Sequence, residues 1–166
     1  MRRSKLFRKT LLLMFLLFGV ISASSSLLSA IVLRDTMTEE FISKGKAIAS
    51  SVASSSAELI LSRDPSTIQS VIDQYLDIAS VRYVFVRDGQ GEIISHTFVP
   101  QAPKELASLP ENPAGLEVAR LDLDGQVIDI SAPILAGAAG FVHVGMDMGV
   151  VRDYIITTIL KMQGLM

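Results

Sequence analysis

The chain has 166 residues, no cysteine and a net charge of −2 at pH 7, which is enough for one ordinary globular domain. The lack of cysteine excludes disulfides, thiol catalysis, cysteine-ligated zinc and c-type haem attachment. The charge is unevenly spread: residues 1–10 carry five basic residues and no acid, whereas residues 35–153 carry 8 basic against 17 acidic residues, a net charge of −9. A region this acidic does not suit the phosphates of nucleic acid, so no nucleic-acid partner is expected.

An uncharged apolar run follows the basic N-terminus. Residues 11–33 span 23 positions without a charge, and at about 1.5 Å of helical rise per residue they reach across a hydrocarbon layer of about 30 Å. The basic residues before this run predict that the N-terminus stays in the cytoplasm. We therefore expect a cytoplasmic tail (1–10), a transmembrane helix (11–33) in the inner membrane, and a periplasmic or extracellular region after it. A signal peptide cleaved near residues 22–24 is the alternative, and it exports the same region.

Two helices are predicted at the start of the exported region. Residues 35–62 carry apolar and small residues at spacings of four and three, which is typical of one long helix with a narrow stripe. The stripe comprises Met37, Phe41, Gly45, Ile48, Val52, Ser55 and Leu59. It either packs on its own domain or forms a dimer seam, and the pattern leaves both open. Asp64 before Pro65 is typical of a helix N-cap, so a second helix is expected from Pro65 to Ile78.

The pattern then becomes extended. Strands are predicted at 80–87, 92–97, 117–123, 126–134 and 141–147, joined mainly by glycine-containing turns. Two helices followed by five strands predict an α+β fold, in which the helices pack on one face of a five-stranded antiparallel sheet. Residues 150–166 predict an exit helix leading into a second membrane segment that is cut off by the end of the chain. A helix that finishes a small domain is the alternative.

Two segments carry a resemblance to a known family. VRYVFVRDGQGEIISHT (81–97) is similar to a strand, a D-x-x-G turn and a strand ending in histidine. GQVIDISAPILAGAAGFVHVGMDMGVVRDYI (125–155) is similar to an apolar strand ending in API, a glycine turn and a strand leading to an exit helix. With the preceding helices, the chain resembles the single Cache domain, a PAS-like sensor of bacterial histidine kinases, chemoreceptors and diguanylate cyclases. The resemblance implies a sensor domain over residues 34–149, a homodimer and a small-molecule ligand of unknown identity.

The resemblance also implies candidate ligand contacts. In the citrate- and dicarboxylate-sensing kinases of this kind, the position of His96 holds a ligand-contacting histidine, and that of Ile93 holds a ligand-binding arginine. Asp129 and Ser131 fall where those kinases carry basic or hydroxyl groups that face the ligand. The cationic clamp is therefore missing from these positions, and a carboxylate ligand needs such a clamp to offset its desolvation. This favours a cationic or neutral ligand, or none.

Further candidates come from the strand pattern. Asp129 lies in an apolar strand and needs a partner; the neighbouring strand offers Arg120, so Asp129 forms either a structural pair with Arg120 or a ligand contact. Tyr83 alternates with apolar residues, a pattern more typical of a core than of a binding site. His96 is either a ligand contact that titrates near neutral pH or a locally bonded histidine. Thr97 is a weaker candidate for the same pocket.

No catalytic motif stands out. The sequence has no nucleophile elbow, phosphate-binding glycine loop or metal-ligand spacing, so no catalytic residue, metal or cofactor is expected. The chain is therefore predicted to be a receptor input region, not an enzyme, that relays ligand binding through membrane helices to an output module beyond this sequence. A membrane-tethered or secreted protein-interaction domain without a small-molecule pocket is the alternative.

Overall fold

The computed structural model describes residues 2–62, 64–99, 102–103, 106 and 108–162, and its elements follow the predicted order. Three α-helices are present in these ranges: α1 (Arg2–Leu61), α2 (Pro65–Asp73) and α3 (Met148–Met162), with a 3-10 turn over Gln74–Asp77. The strands are β1 (Val81–Arg87), β2 (Ile93–His96), β3 (Glu117–Asp122), β4 (Gln126–Ile134) and β5 (Gly140–Asp147).

The five strands form one sheet in the order β2-β1-β5-β4-β3, and every neighbouring pair is antiparallel. The predicted α+β architecture is confirmed, with each strand beginning and ending within one residue of its predicted bounds. β5 is the central strand, although it comes last in the chain. The two halves of the sheet therefore meet only through β5, and any group on this strand lies between them.

Helix α1 is continuous through the predicted membrane segment and the predicted long helix that follows it. Within the described residues, it is the helix with the length and composition needed to cross a membrane. Its large apolar side chains between Leu11 and Val32 are exposed, whereas those beyond residue 47 enter the core. The boundaries of the tail, the membrane segment and the exported region stay predictions.

The apolar stripe of α1 packs on its own sheet. Ile48 and Val52 are buried there, and Gly45 permits close approach because a Cβ atom at this position would lie 2.3 Å from Ile130 Cδ1 and 2.9 Å from Met146 Cγ. The buried part of the stripe therefore packs on its own domain and is unavailable as a dimer seam, whereas Ser55 of the predicted stripe is exposed.

Helix α2 begins at the predicted cap. The Asp64 carboxylate accepts hydrogen bonds from Thr67 N at 3.1 Å and Thr67 Oγ1 at 2.6 Å, and these two bonds hold the pKa of Asp64 below its usual value. Ile68 and Ile72 pack with α1 against the sheet. The predicted helix to Ile78 tightens to a 3-10 turn after Asp73, before β1 begins.

The opposite face of the sheet is covered by the described residues of the segment that connects β2 to β3. Leu106 and Leu109 of this segment are buried against Tyr83, Phe85 and Val127. We call this side of the sheet the loop-covered face. The sheet is therefore buried on both sides, by helices on one and by an irregular connection on the other.

Candidate functional site

Charged and polar side chains occupy the loop-covered face at alternate strand positions, as the two-residue period of a strand requires. They are Tyr83, Arg87, Asp129, Ser131 and His143, each with at most 5% of its surface exposed. Buried polar groups are costly unless they are hydrogen-bonded. The contacts among these five side chains therefore decide what the face can do.

Tyr83 reaches across β5 to Asp129. The two residues share one row of the sheet, with Gly145 of β5 between them. A Cβ atom on Gly145 would lie 2.3 Å from Tyr83 Cε1, so the tyrosine ring lies directly over this glycine. The Tyr83 hydroxyl donates to Asp129 Oδ1 at 2.9 Å. Burial first, and the Asp129 carboxylate second, raise the pKa of Tyr83 above its usual value, which keeps the phenol a neutral donor.

His143 lies between two carboxylates. Its Nδ1 is 2.8 Å from Asp129 Oδ2 and its Nε2 is 3.3 Å from Glu111 Oε1, while the ring stacks on Phe85 with centroids 4.5 Å apart. A neutral imidazole carries a proton on one nitrogen only. Which ring nitrogen donates therefore depends on the tautomer of His143.

Arg87 supplies a buried cation at the end of β1. Its Nη1 donates to Glu111 Oε1 at 2.6 Å and its Nη2 donates to the Leu106 carbonyl at 2.6 Å. The buried Arg87 Nε has no hydrogen-bond partner within the described ranges. Arg87 and His143 therefore converge on one oxygen of Glu111, and Ser131 Oγ donates to the Pro110 carbonyl at 3.3 Å next to it.

Three predicted site residues, Tyr83, Asp129 and Ser131, are brought together on this face. The predicted pairing of Asp129 with Arg120 is wrong. Ala119 is the β3 residue opposite Asp129, whereas Arg120 is opposite Ile128 and faces the other side of the sheet toward α1, in a cleft that it lines with Arg34. A shift of one residue along a strand reverses the direction of the side chain.

His96 and Thr97 lie at the edge of the face, on and just after β2. His96 is opposite Phe85, its backbone exchanges two hydrogen bonds with the Gln69 side chain, and its buried Nδ1 has no partner among the described residues. Thr97 Oγ1 accepts from Val84 N at 2.8 Å and donates to Val84 O at 3.1 Å, so this hydroxyl extends the β1–β2 pairing. Ligand contact by either residue stays a prediction.

Three residues of this network, His143, Arg87 and Glu111, are not among the ligand contacts predicted from the sequence. The alternation that places Tyr83 on the face also places Arg87 there, four residues later, so the face has a cationic group at a position other than those of Ile93, Asp129 and Ser131. Glu111 lies in an irregular segment whose path has no period, so no sequence signal pointed to it.

An open cavity of about 540 Å³ adjoins the network. Tyr83 belongs to both, and Phe98 packs on the Tyr83 ring with centroids 5.0 Å apart. The acidic side chains Asp122 and Asp124, the cation Arg82 and the predicted site residue Thr97 also belong to the lining. Its volume falls in the range of small-molecule sites, about 300–1,000 Å³.

The described residues contain no group of three or more histidine and acidic side chains arranged to hold a metal ion. The described polar side chains of the loop-covered face form hydrogen bonds with one another and with the segment that covers them.

A model of the family described as single Cache domain 3 matches residues 32–156. Among solved structures, the periplasmic domain of Vibrio cholerae LuxQ is similar, with a TM-score of 0.52 and 17% identity over 80% of this chain and 70% of that chain. The ligand-binding domains of two Pseudomonas aeruginosa amino acid chemoreceptors are also similar. PctC in complex with GABA has a TM-score of 0.48 and 16% identity over 80% of this chain and 60% of that chain. PctB in complex with L-Arg has a TM-score of 0.46 and 16% identity over 74% of this chain and 54% of that chain.

The family match confirms the predicted resemblance to a single Cache domain. The likeness to LuxQ adds support for the fold alone, because the identity is low. No curated protein matches this sequence significantly.

Proposed function

Because this chain belongs to the single Cache domain 3 family, we propose that it is the ligand-sensing input region of a transmembrane signalling receptor. In this proposal residues 11–33 cross the cytoplasmic membrane and residues 34–149 lie outside the cytoplasm, as part of a homodimer. The output module would follow the exit helix. No catalytic step is assigned to the sensor region itself.

One connection carries the proposal: β5 leads into α3 without a loop, since β5 ends at Asp147 and α3 begins at Met148. His143 and Gly145, which lie beneath the loop-covered face, are on this same strand. A small displacement of β5 therefore moves the start of α3 directly. Helix α1 packs on the other side of β4 and β5 through Ile130 and Met146, so the displacement also changes the position of α3 relative to α1.

We infer that the ligand binds on the loop-covered face, reached through the cavity beside Tyr83 and Phe98. Tyr83 is the link, because its ring lines the cavity and its hydroxyl holds Asp129 on the far side of β5. A ligand shifts a two-state equilibrium only by its differential affinity for the two states. A preference of about 1000-fold would supply about 4 kcal/mol.

A thermal-shift screen of the full chain in detergent micelles tests this proposal. The screen contains amines, amino acids, organic acids and divalent metals. A ligand at a hundredfold excess over its Kd stabilises the native state by about 2.7 kcal/mol. We expect a saturable rise that is lost in the cavity variants Phe98→Leu and Asp124→Asn. Gln90→Ala, in the exposed turn between β1 and β2, is the control and should respond as the parent chain does.

The alternative function is a protein-interaction domain without a small-molecule pocket. It draws support from the covering segment, whose Leu106 and Leu109 already fill the middle of the loop-covered face. A folded chain that shows no shift across the whole screen would count against the sensor proposal and for this alternative. A shift that survives in both cavity variants would place the ligand elsewhere.

A further inference from the structure

The carboxylate of Glu111 is held in the way a bound anion is held. Arg87 Nη1 and His143 Nε2 both point at Glu111 Oε1, and no strand residue other than these two contacts this oxygen within the described ranges. The Glu111 side chain is 24% exposed, whereas the side chains of Arg87 and His143 are 6% and 0% exposed. The Glu111 carboxylate therefore lies nearest the solvent, and the Arg87 and His143 side chains lie behind it. We call the pair of side chains Arg87 and His143 the cradle.

The cradle has more hydrogen-bonding capacity than Glu111 uses. A guanidinium presents its donors in a planar fork that fits both oxygens of a carboxylate. Here Arg87 and His143 both contact the same oxygen, Glu111 Oε1, and the buried Arg87 Nε has no partner among the described residues. Glu111 reaches this position from an irregular segment, so its backbone limits how the carboxylate can turn. A free carboxylate has no such restriction and can present both oxygens to the fork.

The charge balance shows what Glu111 compensates. Arg87 is a buried cation paired with Glu111, and His143 lies between the carboxylates of Glu111 and Asp129. Asp129 is held from behind by Tyr83 and His143 and is 1% exposed, so it stays in place. Without Glu111 the buried Arg87 guanidinium loses the carboxylate that compensates its charge, which is costly. The site then favours a single negative charge, and a second carboxylate would be repelled by Asp129.

Glu111 is also what fastens the covering segment. Leu106 and Leu109 are buried on the sheet, the Leu106 carbonyl accepts from Arg87, and the Pro110 carbonyl accepts from Ser131. These contacts all lie within residues 106–111. Displacing the Glu111 carboxylate removes the charged contact from this short stretch, leaving it held by two leucines and two neutral acceptors.

We propose that the cradle is a binding site for a small monocarboxylate, that Glu111 is its tethered occupant, and that a free monocarboxylate displaces Glu111 and releases residues 106–111 from the sheet. The consequence for signalling rests on the proposed function, whereas the binding and the release do not. In such a sensor the Glu111 side chain occupies the binding site until a free monocarboxylate displaces it.

The first experiment uses Glu111→Ala in the full chain in detergent, with sodium acetate as the probe. The variant should melt at least 5 °C below the parent, and acetate should restore at least half of that loss with a saturable dose response. Sodium chloride at equal ionic strength should not. The parent chain should need at least tenfold more acetate for its own response, because the free anion must compete with a tethered one.

Matched variants separate a built site from a general salt effect. Glu92→Ala also removes one acid, from an exposed position, and should respond only at the higher acetate concentrations that the parent chain needs. Glu111→Ala combined with Arg87→Met should lose the response of the single variant. If Glu111→Ala does not fold, Glu111→Gln keeps the shape of the side chain and should still bind acetate more tightly than the parent. Equal responses to acetate and chloride, or a response of Glu92→Ala at the acetate concentrations that suffice for Glu111→Ala, would overturn the proposal.

Hydrogen–deuterium exchange of the parent chain tests the release. Acetate at saturation should speed exchange at least tenfold in peptides covering residues 106–111, and should leave peptides of α2 unchanged. Acetate binding without faster exchange in this stretch would refute release. Because neither measurement uses a signalling readout, the proposal can fail while the sensor function holds, and it can succeed in a chain that has no sensory role.

Discussion

The contact between Tyr83 and Asp129 lends itself to a quantitative test, since it crosses the central strand. Replacing Asp129 with alanine removes the hydrogen-bond partner of two buried groups, the Tyr83 hydroxyl and His143 Nδ1. Leaving a buried polar group without its partner costs about 1–3 kcal/mol for each group. Tyr83→Phe removes one donor and leaves Asp129 bonded to His143, which should cost about 1.5–3 kcal/mol as a hydrogen bond to a charged group.

The double variant Asp129→Ala/Tyr83→Phe should cost less than the sum of the two single variants, because the tyrosine hydroxyl is no longer left without a partner. We expect a coupling energy of about 1–2 kcal/mol, within the range for residues in direct contact. Urea unfolding of the full chain in detergent, followed by circular dichroism, measures all four free energies of unfolding.

A matched control shows how much the loss of an acid away from the site changes stability in this double-mutant cycle. Asp153→Ala removes an exposed acid that pairs with exposed Arg152 at 3.5 Å, and it should change the free energy of unfolding by no more than about 0.5 kcal/mol. If the double variant costs the sum of the single variants to within about 0.5 kcal/mol, Tyr83 and Asp129 are not coupled and the structural role given to Tyr83 is wrong.

Four further changes test the packing and the local electrostatics. Gly145→Ala places a Cβ atom 2.3 Å from the buried Tyr83 ring, so we expect a loss of about 1–3 kcal/mol, measured by urea unfolding. Gly45→Val should lower the melting temperature for the same reason, because Ile130 Cδ1 lies 2.3 Å from the added atom. Asp64→Ala should lower the melting temperature at pH 7, and the deficit should shrink as the pH falls below about 3.8, because the pKa of Asp64 is lowered in the folded chain and its stabilisation is lost as it protonates. The raised pKa of Tyr83 has the opposite sign: its contribution is complete below about pH 10 and is lost above it, so Tyr83→Phe should reduce the fall in urea midpoint between pH 9 and 11.

Two sequence signals predicted much of this fold because they are local. The Asp64-Pro65 pair marks a helix start through contacts within one turn, and the structure has that cap. Glycine-containing turns between β-branched runs marked the strands, since both signals depend on backbone preferences of neighbouring residues. The end of the second helix was less well predicted, because the change to a 3-10 turn at Gln74 depends on packing and not on propensity.

The candidate site was predicted only in part. Tyr83, Asp129 and Ser131 could be chosen because alternation places them on the same side of their strands. Their partners could not, because strand pairing is not local: β5 is last in the chain but central in the sheet, and this order alone brings His143 between Asp129 and Phe85. The supposed partner Arg120 is one residue away from the position that faces Asp129.

By itself the sequence determined the elements of this protein, its apolar N-terminal segment and its resemblance to a single Cache domain, because periodicity, turn residues and uncharged runs are read from neighbouring positions. The tertiary structure alone decided which charges meet. Glu111 reaches Arg87 across 24 residues of chain and His143 across 32, and its segment has no periodicity that fixes its path. Burial then makes these contacts matter, since an arginine enclosed by the sheet and the covering segment must find an anion, and the folded chain supplies Glu111.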